Sequence, residues 1–202
     1  QRLTSAQAKT LQNAVERIVG LPNVVRVDDI FGGESFIKSQ CSRFKALLVN
    51  VAPNQTEAMQ TLIAQAFIKH WLATNVSGNI IFTSSWIDHV PWPSVTPYAA
   101  SKAAIVAISR GIARELATKN IRSNIISPGI VNIGMAAKQW REEPDYQRRA
   151  RRAIPLGKLQ EPLSVAHGIE FLLSEKSSYM TGSNLLVDGG ASLYPLDPEE
   201  VV

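Results

Sequence analysis

An α/β fold around a parallel sheet is predicted for this 202-residue chain by two features. Short apolar runs alternate with longer amphipathic ones along most of its length, the signature of strands alternating with helices. The apolar run "KALLVNV" also carries almost no polar alternation, as a strand buried on both faces requires.

The elements follow in order. Residues 4–19, "TSAQAKTLQNAVERIV", read as an amphipathic helix opened by a Thr/Ser cap. "NVVRVDD" is a short β-branched strand, and "GESFIKSQCSRF" a weak helix. "KALLVNV" is the next strand. Residues 56–74 form a helix, and "GNIIFTSS" is a strand. After the proline-rich loop "HVPWPSVTP" comes a long helix over about 98–118. It ends before Asn120, a residue type that accepts the left-handed geometry of a helix C-terminus. "IRSNIIS" is a strand stopped by Pro128-Gly129. Residues 135–152 are a charged helical excursion. "PLSVAHGIEFLLS" is a helix with proline in its first turn, and "SNLLVDGG" is the last strand.

Composition narrows the function classes. The 45% hydrophobic content is that of an ordinary globular domain, and 202 residues suffice for one domain with a sizeable core. No apolar run is long enough to span a bilayer, and the polar start "QRLTSAQAKT" carries no signal-peptide pattern. The single cysteine, Cys41, excludes an internal disulfide, which suits a reducing compartment. A cytoplasmic location is therefore expected. Net charge is +4, and much of the excess lies in "QRRARR", which reads as a solvated helix face. No nucleic-acid module accompanies it, so neither nucleic acid nor membrane is expected as a partner. His70, His89 and His167 show no metal-ligand spacing with one another or with Cys41. No metal site is expected.

Ligands of parallel sheets bind at the carboxyl ends of the strands. Those ends carry Asp28-Asp29, Asn50, Ser84-Ser85 and Pro128-Gly129. The pentapeptide "YAASK" opens the helix after the Ser84-Ser85 strand. Its Tyr98 and Lys102 are spaced i,i+4 and so share a helix face. A phenol is a poor base at neutral pH, and a nearby ammonium favours its ionised form. A hydroxyl, a phenol and an ammonium at one strand end suit carbonyl reduction or alcohol oxidation.

With these residues the chain resembles the short-chain dehydrogenases/reductases. "NIIFTSS", thirteen residues from Ser85 to Tyr98, and then "YAASK" is similar to that family's catalytic core. The resemblance continues through "IRSNIISPGIV", "IPLGKLQEPLSVAHGIEFLLSEKSSYMTG" and "LLVDGG", and covers roughly residues 45–192. "VPWP" and "DGGASLYP" also look like bacterial glucose dehydrogenases of the family, which points to a polyol or sugar substrate.

The resemblance implies a Rossmann-like doubly wound sheet and hydride transfer between NAD or NADP and a secondary alcohol or ketone. It implies that Tyr98 is the general acid/base and that Lys102 tunes the phenol and binds the nicotinamide ribose. Ser85 would hold the substrate oxygen, with Ser84 as its structural neighbour. Asn50 matches a cofactor-side Asn, or simply closes a strand. Asp29 matches the acid at the adenine, with Asp28 nearly as good. Pro128, Gly129 and Val131 match the segment that meets the nicotinamide, so the cofactor set is Asp29, Asn50, Tyr98, Lys102, Pro128, Gly129 and Val131. A homo-oligomer is also implied, a tetramer or dimer, with "SNLLVDGG" as its interface strand. Residues 1–202 are read as one domain: an incomplete nucleotide-binding half at 1–53, a catalytic half at 54–192 and a tail at 193–202.

The pattern also breaks. The family's nucleotide half opens on TGxxxGxG, whose glycines let backbone approach a pyrophosphate at a helix N-terminus. These 202 residues contain no such run, and "FGGES" lacks the spacing. The family's first strand, first helix and second strand have no counterpart. That first strand is normally central, so the run near 24–28 would have to pair elsewhere. The chain is therefore read as lacking part of its nucleotide-binding half through truncation or disorder, with a naturally degenerate half as the competing reading. Thr56 stands near the position of a relay Asn, Pro53 removes a backbone donor, and Ile133 replaces a Thr that usually contacts the cofactor. The rival functions are a cofactor-free or ligand-binding relative and a non-catalytic subunit.

Overall fold

In the computed structural model the described residues are 24–26, 46–49, 57–90 and 92–193. Five strands form one parallel sheet: β1 (Val24–Arg26), β2 (Ala46–Val49), β3 (Gly78–Thr83), β4 (Ile121–Pro128) and β5 (Asn184–Val187). The sheet order follows the chain, β1-β2-β3-β4-β5. Residues 24–26 of the run for which the sequence left no partner lie parallel to β2, with Val24 opposite Ala46 and Arg26 opposite Leu48. Among the described residues the strand order shows no reversal. The expected helices at 4–19 and within 34–44 lie outside the described residues.

The described residues include five α-helices: α1 (Glu57–Thr74), α2 (Thr96–Leu116), α3 (Gly134–Glu142), α4 (Pro144–Ala153) and α5 (Pro162–Leu173). Helix α1 buries Ile63, Ala64, Phe67, Ile68 and Trp71, a stripe at helical spacing. With Ile105 of α2 this stripe covers Leu47, Ile80, Phe82 and Ile121 of the sheet. The adjacent residues Leu48, Ile81 and Ile126 point the other way, onto Ala166, Ile169 and Leu172 of α5. Alternate strand residues thus feed two apolar layers, which is why β2 and the centre of β3 read as continuously apolar. Polar pins cross both layers. Ser109 of α2 and Ser123 of β4 share a buried hydrogen bond of 2.8 Å, and Asn79 of β3 donates to the Leu172 carbonyl at the end of α5.

Helix α2 starts at Thr96, two residues before the sequence-based boundary, because Pro97 is tolerated in a first turn where no intrahelical donor is needed. A 3₁₀ turn, Ala117–Lys119, extends it to Asn120, which takes the left-handed conformation at φ 57°. The single excursion expected at 135–152 is two helices. Proline disfavours the helical region for the residue before it, and Glu143, before Pro144, is extended at φ −120° and ψ 97°. Helices α3 and α4 lie over the carboxyl ends of the strands. Tyr146, Ala150 and Ile154 pack there with Trp86, Ile87, Val90 and Ile130.

Candidate active site

The carboxyl end of β3 delivers Ser84 and Ser85, and α2 delivers Tyr98 and Lys102. The two elements are joined where the site needs them joined. The Ser84 hydroxyl lies 3.1 Å from the Lys102 carbonyl, and Lys102 Nζ donates to the Thr83 carbonyl at 3.3 Å. Lys102 is buried, at 8% exposure, while Tyr98 is 46% exposed. The ammonium sits 5.5 Å from the Tyr98 ring centroid. One helix turn therefore carries a phenol open to solvent and a cation held at the strand end, the arrangement that i,i+4 spacing predicts.

The two serines have different environments. Ser84 Oγ is occupied, within 2.9 Å of Asp88 Oδ2 as well as near the Lys102 carbonyl. Ser85 has extended backbone ahead of a 3₁₀ turn, Trp86–Asp88, and its side chain does not cap that turn. The Ser85 carbonyl accepts the Asp88 N–H at 3.0 Å. Among the described residues the Ser85 hydroxyl takes no hydrogen bond. Of the two, Ser85 is the one with a hydroxyl to offer a ligand.

The segment after β4 divides its backbone donors. The Gly129 N–H is engaged by the Val187 carbonyl at 3.0 Å and by Gln160 Oε1 at 2.8 Å. Pro128 has no N–H to give. A Cβ on Gly129 would lie 2.7 Å from the Asp188 Cα, so glycine permits this approach of β4 to β5. Val131 forms an isolated parallel bridge with Gln160. The bridge bonds run from Gln160 N–H to the Ile130 carbonyl and from Asn132 N–H to the Gln160 carbonyl. They leave the Val131 N–H facing away from Gln160. This donor, with the Lys102 ammonium, fits the carboxamide and ribose end of a nicotinamide nucleotide. Asp29 and Asn50, expected at the other end, lie outside the described residues, as do Asp28, Pro53 and Thr56.

Sequence reasoning missed Asp88, Ser127, Asn184 and Gln160. Asp88 receives Ser84, Ser127 and Asn184 on one oxygen, and Gln160 holds the Gly129 turn. The one local signal was an acid directly after the apolar pair Trp86-Ile87 in "SSWID". Among the described residues no helix is long and apolar enough to cross a membrane.

Known proteins resemble this chain in sequence and fold. A sequence model of the family described as enoyl-(acyl carrier protein) reductase matches residues 56–192. A 3beta-hydroxysteroid dehydrogenase 1 of Eggerthella lenta is 39% identical over 128 residues, 63% of this chain and 49% of that protein. A glucose 1-dehydrogenase of Gluconobacter oxydans is 36% identical over 144 residues, 71% of this chain and 53% of that protein. The chain thus spans about half the length of the curated relatives it matches. A gluconate 5-dehydrogenase from Burkholderia cenocepacia, crystallised with NADP and tartrate, superposes with a TM-score of 0.71 at 21% identity, over 79% of this chain and 70% of that one. That likeness shows the shared parallel-sheet fold. The matched span holds β3 to β5 and the "YAASK" turn, and by it the chain belongs to the short-chain dehydrogenase/reductase family.

Proposed function

We propose that the protein is an NAD(P)-dependent oxidoreductase that interconverts a secondary alcohol and a ketone, with a polyol or sugar as the substrate class. The observation that carries the reading is a Tyr98 phenol beside the buried Lys102 ammonium, which is held at the same β3 end that presents a Ser85 hydroxyl with no hydrogen bond among the described residues. Similarity to proteins named as sugar and hydroxysteroid dehydrogenases supports the oxidoreductase class.

In the direction of reduction, Ser85 donates to the substrate carbonyl oxygen and orients it. Tyr98 delivers a proton to that oxygen as negative charge develops on it. Lys102 stabilises the phenolate left behind, an electrostatic contribution strengthened by its burial. A proton from solvent restores the phenol, and oxidation runs the same transfers backwards. The nicotinamide, when bound, supplies or accepts the hydride. Its ribose would be held by Lys102 and Tyr98, and its carboxamide by the Val131 N–H beside the Pro128-Gly129 turn. Asp29 and Asn50 are assigned to the adenosine side.

In this reading residues 54–192 form the catalytic half of one domain, and α3 and α4 act as the substrate lid. The protein works in the cytoplasm as a homo-oligomer, tetramer or dimer, through β5. That strand ends the described sheet and leaves Leu186 exposed.

Tyr98→Phe in the full-length protein removes only the hydroxyl. Turnover should fall at least about 10²-fold, the scale of lost general acid–base catalysis. Near-wild-type turnover refutes the assignment. Calorimetric titration of the same protein with NAD and with NADP should show one of them binding. Activity with neither bound would favour the cofactor-free alternative.

A further inference from the structure

We propose that Asp88 is a positioning residue: its buried carboxylate clamps the Ser85 turn and the Lys102 turn of α2 to the ends of β4 and β5. The catalytic consequence rests on the oxidoreductase reading above, whereas the clamp itself does not.

The Asp88 side chain is 3% exposed. Its Oδ2 gathers three donors from three strand ends: Ser84 Oγ at 2.9 Å, Ser127 Oγ at 3.1 Å and Asn184 Nδ2 at 3.3 Å. Its Oδ1 faces His89 Nδ1. The buried carboxylate is thus met by donors at Oδ2, as burial requires, with the His89 ring nitrogen beside Oδ1.

The donors are shared onward. Ser84 has one hydroxyl proton and two acceptors in range, Asp88 Oδ2 and the Lys102 carbonyl at 3.1 Å. Ser127 likewise sits between Asp88 Oδ2 and Asn184 Oδ1, the latter at 2.8 Å. The carboxylate is therefore the hub of a network that reaches the main chain of Lys102 through a single hydroxyl. A main-chain bond from Asp88 N–H to the Ser85 carbonyl, 3.0 Å long, closes the turn carrying Ser85. Ser85 and Lys102 are referred to one group, and that group is referred to β4 and β5.

Stability alone is a weak reason for a charged group here. Burying a carboxylate is expensive, and well-packed apolar side chains commonly do as well. What an apolar side chain cannot supply is direction. Several hydrogen bonds to one oxygen hold neighbouring groups at fixed angles, and catalytic groups need placement within about 0.5 Å.

The test uses Asp88→Ala and Asp88→Asn in the full-length protein, read by steady-state kinetics and amide hydrogen exchange. Asp88→Ala should lower kcat by about 30-fold or more while KM changes less than about threefold, because misplacement of reacting groups by about 1 Å costs up to about 10²-fold. Asp88→Asn keeps an acceptor of the same shape and should recover most of the loss. Exchange should quicken in Asp88→Ala at residues 85–89 and in the first two turns of α2, with the sheet core unaffected. Unchanged kcat together with unchanged exchange at those amides overturns the proposal. So does a loss that Asp88→Asn fails to recover while exchange stays unchanged. Should Asp88→Ala not fold, Ser84→Ala cuts the link to Lys102 alone. It should lower kcat at least about fivefold, by the same misplacement argument, and an unaltered kcat overturns the clamp. A Tyr98→Phe enzyme that stays active refutes the catalytic assignment separately, and exchange then decides the clamp by itself.

Discussion

Replacing Lys102 with methionine isolates the charge in the site. Methionine keeps most of the length and volume of the buried stem and removes the ammonium. The Lys102 Nζ lies 5.5 Å from the Tyr98 ring centroid. At that separation, with an effective dielectric of about 20, a phenolate and an ammonium attract by about 3 kcal/mol. Tyr98 is 46% exposed, and solvent screening on that side reduces the attraction to about 1.5 kcal/mol if the effective dielectric doubles. The span of about 1.5–3 kcal/mol corresponds to a loss of about 10- to 150-fold in the proton-transfer step. Folding should change little. The lost hydrogen bond to the Thr83 carbonyl is offset by relief of a buried charge, since burying an ammonium is itself unfavourable. The assay is steady-state kcat at saturating nucleotide in the full-length protein, with a urea titration of both proteins as the control for folding. A kcat within about threefold of wild type in a normally folded variant is a smaller loss than the Coulomb attraction at this separation allows, and would refute the argument. The charge would then be a structural strut between α2 and β3.

Two further outcomes concern the scaffold. Trp71 is fully buried, edge-on to Phe67 at 5.7 Å between ring centroids. Trp71→Ala should therefore cost about 3–5 kcal/mol in urea unfolding, and a loss below about 1 kcal/mol would mean that α1 does not pack on the sheet as described. Burial raises the Tyr146 phenol above its ordinary value, with Arg149 pulling it down and Glu143 adding to the rise. The neutral phenol is favoured in the fold, so its contribution is complete below about pH 10 and is lost as pH rises through the raised folded value. Wild-type stability should fall above about pH 10 more steeply than that of Tyr146→Phe; equal slopes in urea midpoints across that window would contradict the burial of this phenol.

Much of the scaffold was written locally. The apolar stripe of α1, the apolar runs of β2 and β3, and the signals at Asn120 and Pro162 all act within a few residues of themselves. Helix spacing and cap chemistry are short-range physics, so sequence alone determined these elements, their order and the pairing of Tyr98 with Lys102 on one face. Pro144 is equally local, since a proline restricts the residue before it, and it divides the charged excursion into α3 and α4. The motif spacing from Ser85 to Tyr98 also pointed to the family without reference to any contact. Only the tertiary structure decided which serine is engaged, because Ser84 finds the Lys102 carbonyl 18 residues away. It alone buried Asp88 against Ser127 and Asn184, 39 and 96 residues on, and filled the Gly129 N–H with Gln160 and Val187. It also gave residues 24–26 their place beside β2. Those partners meet because of the register between parallel strands joined by long crossovers. Register is set by the packing of whole layers, which no stretch of sequence records by itself.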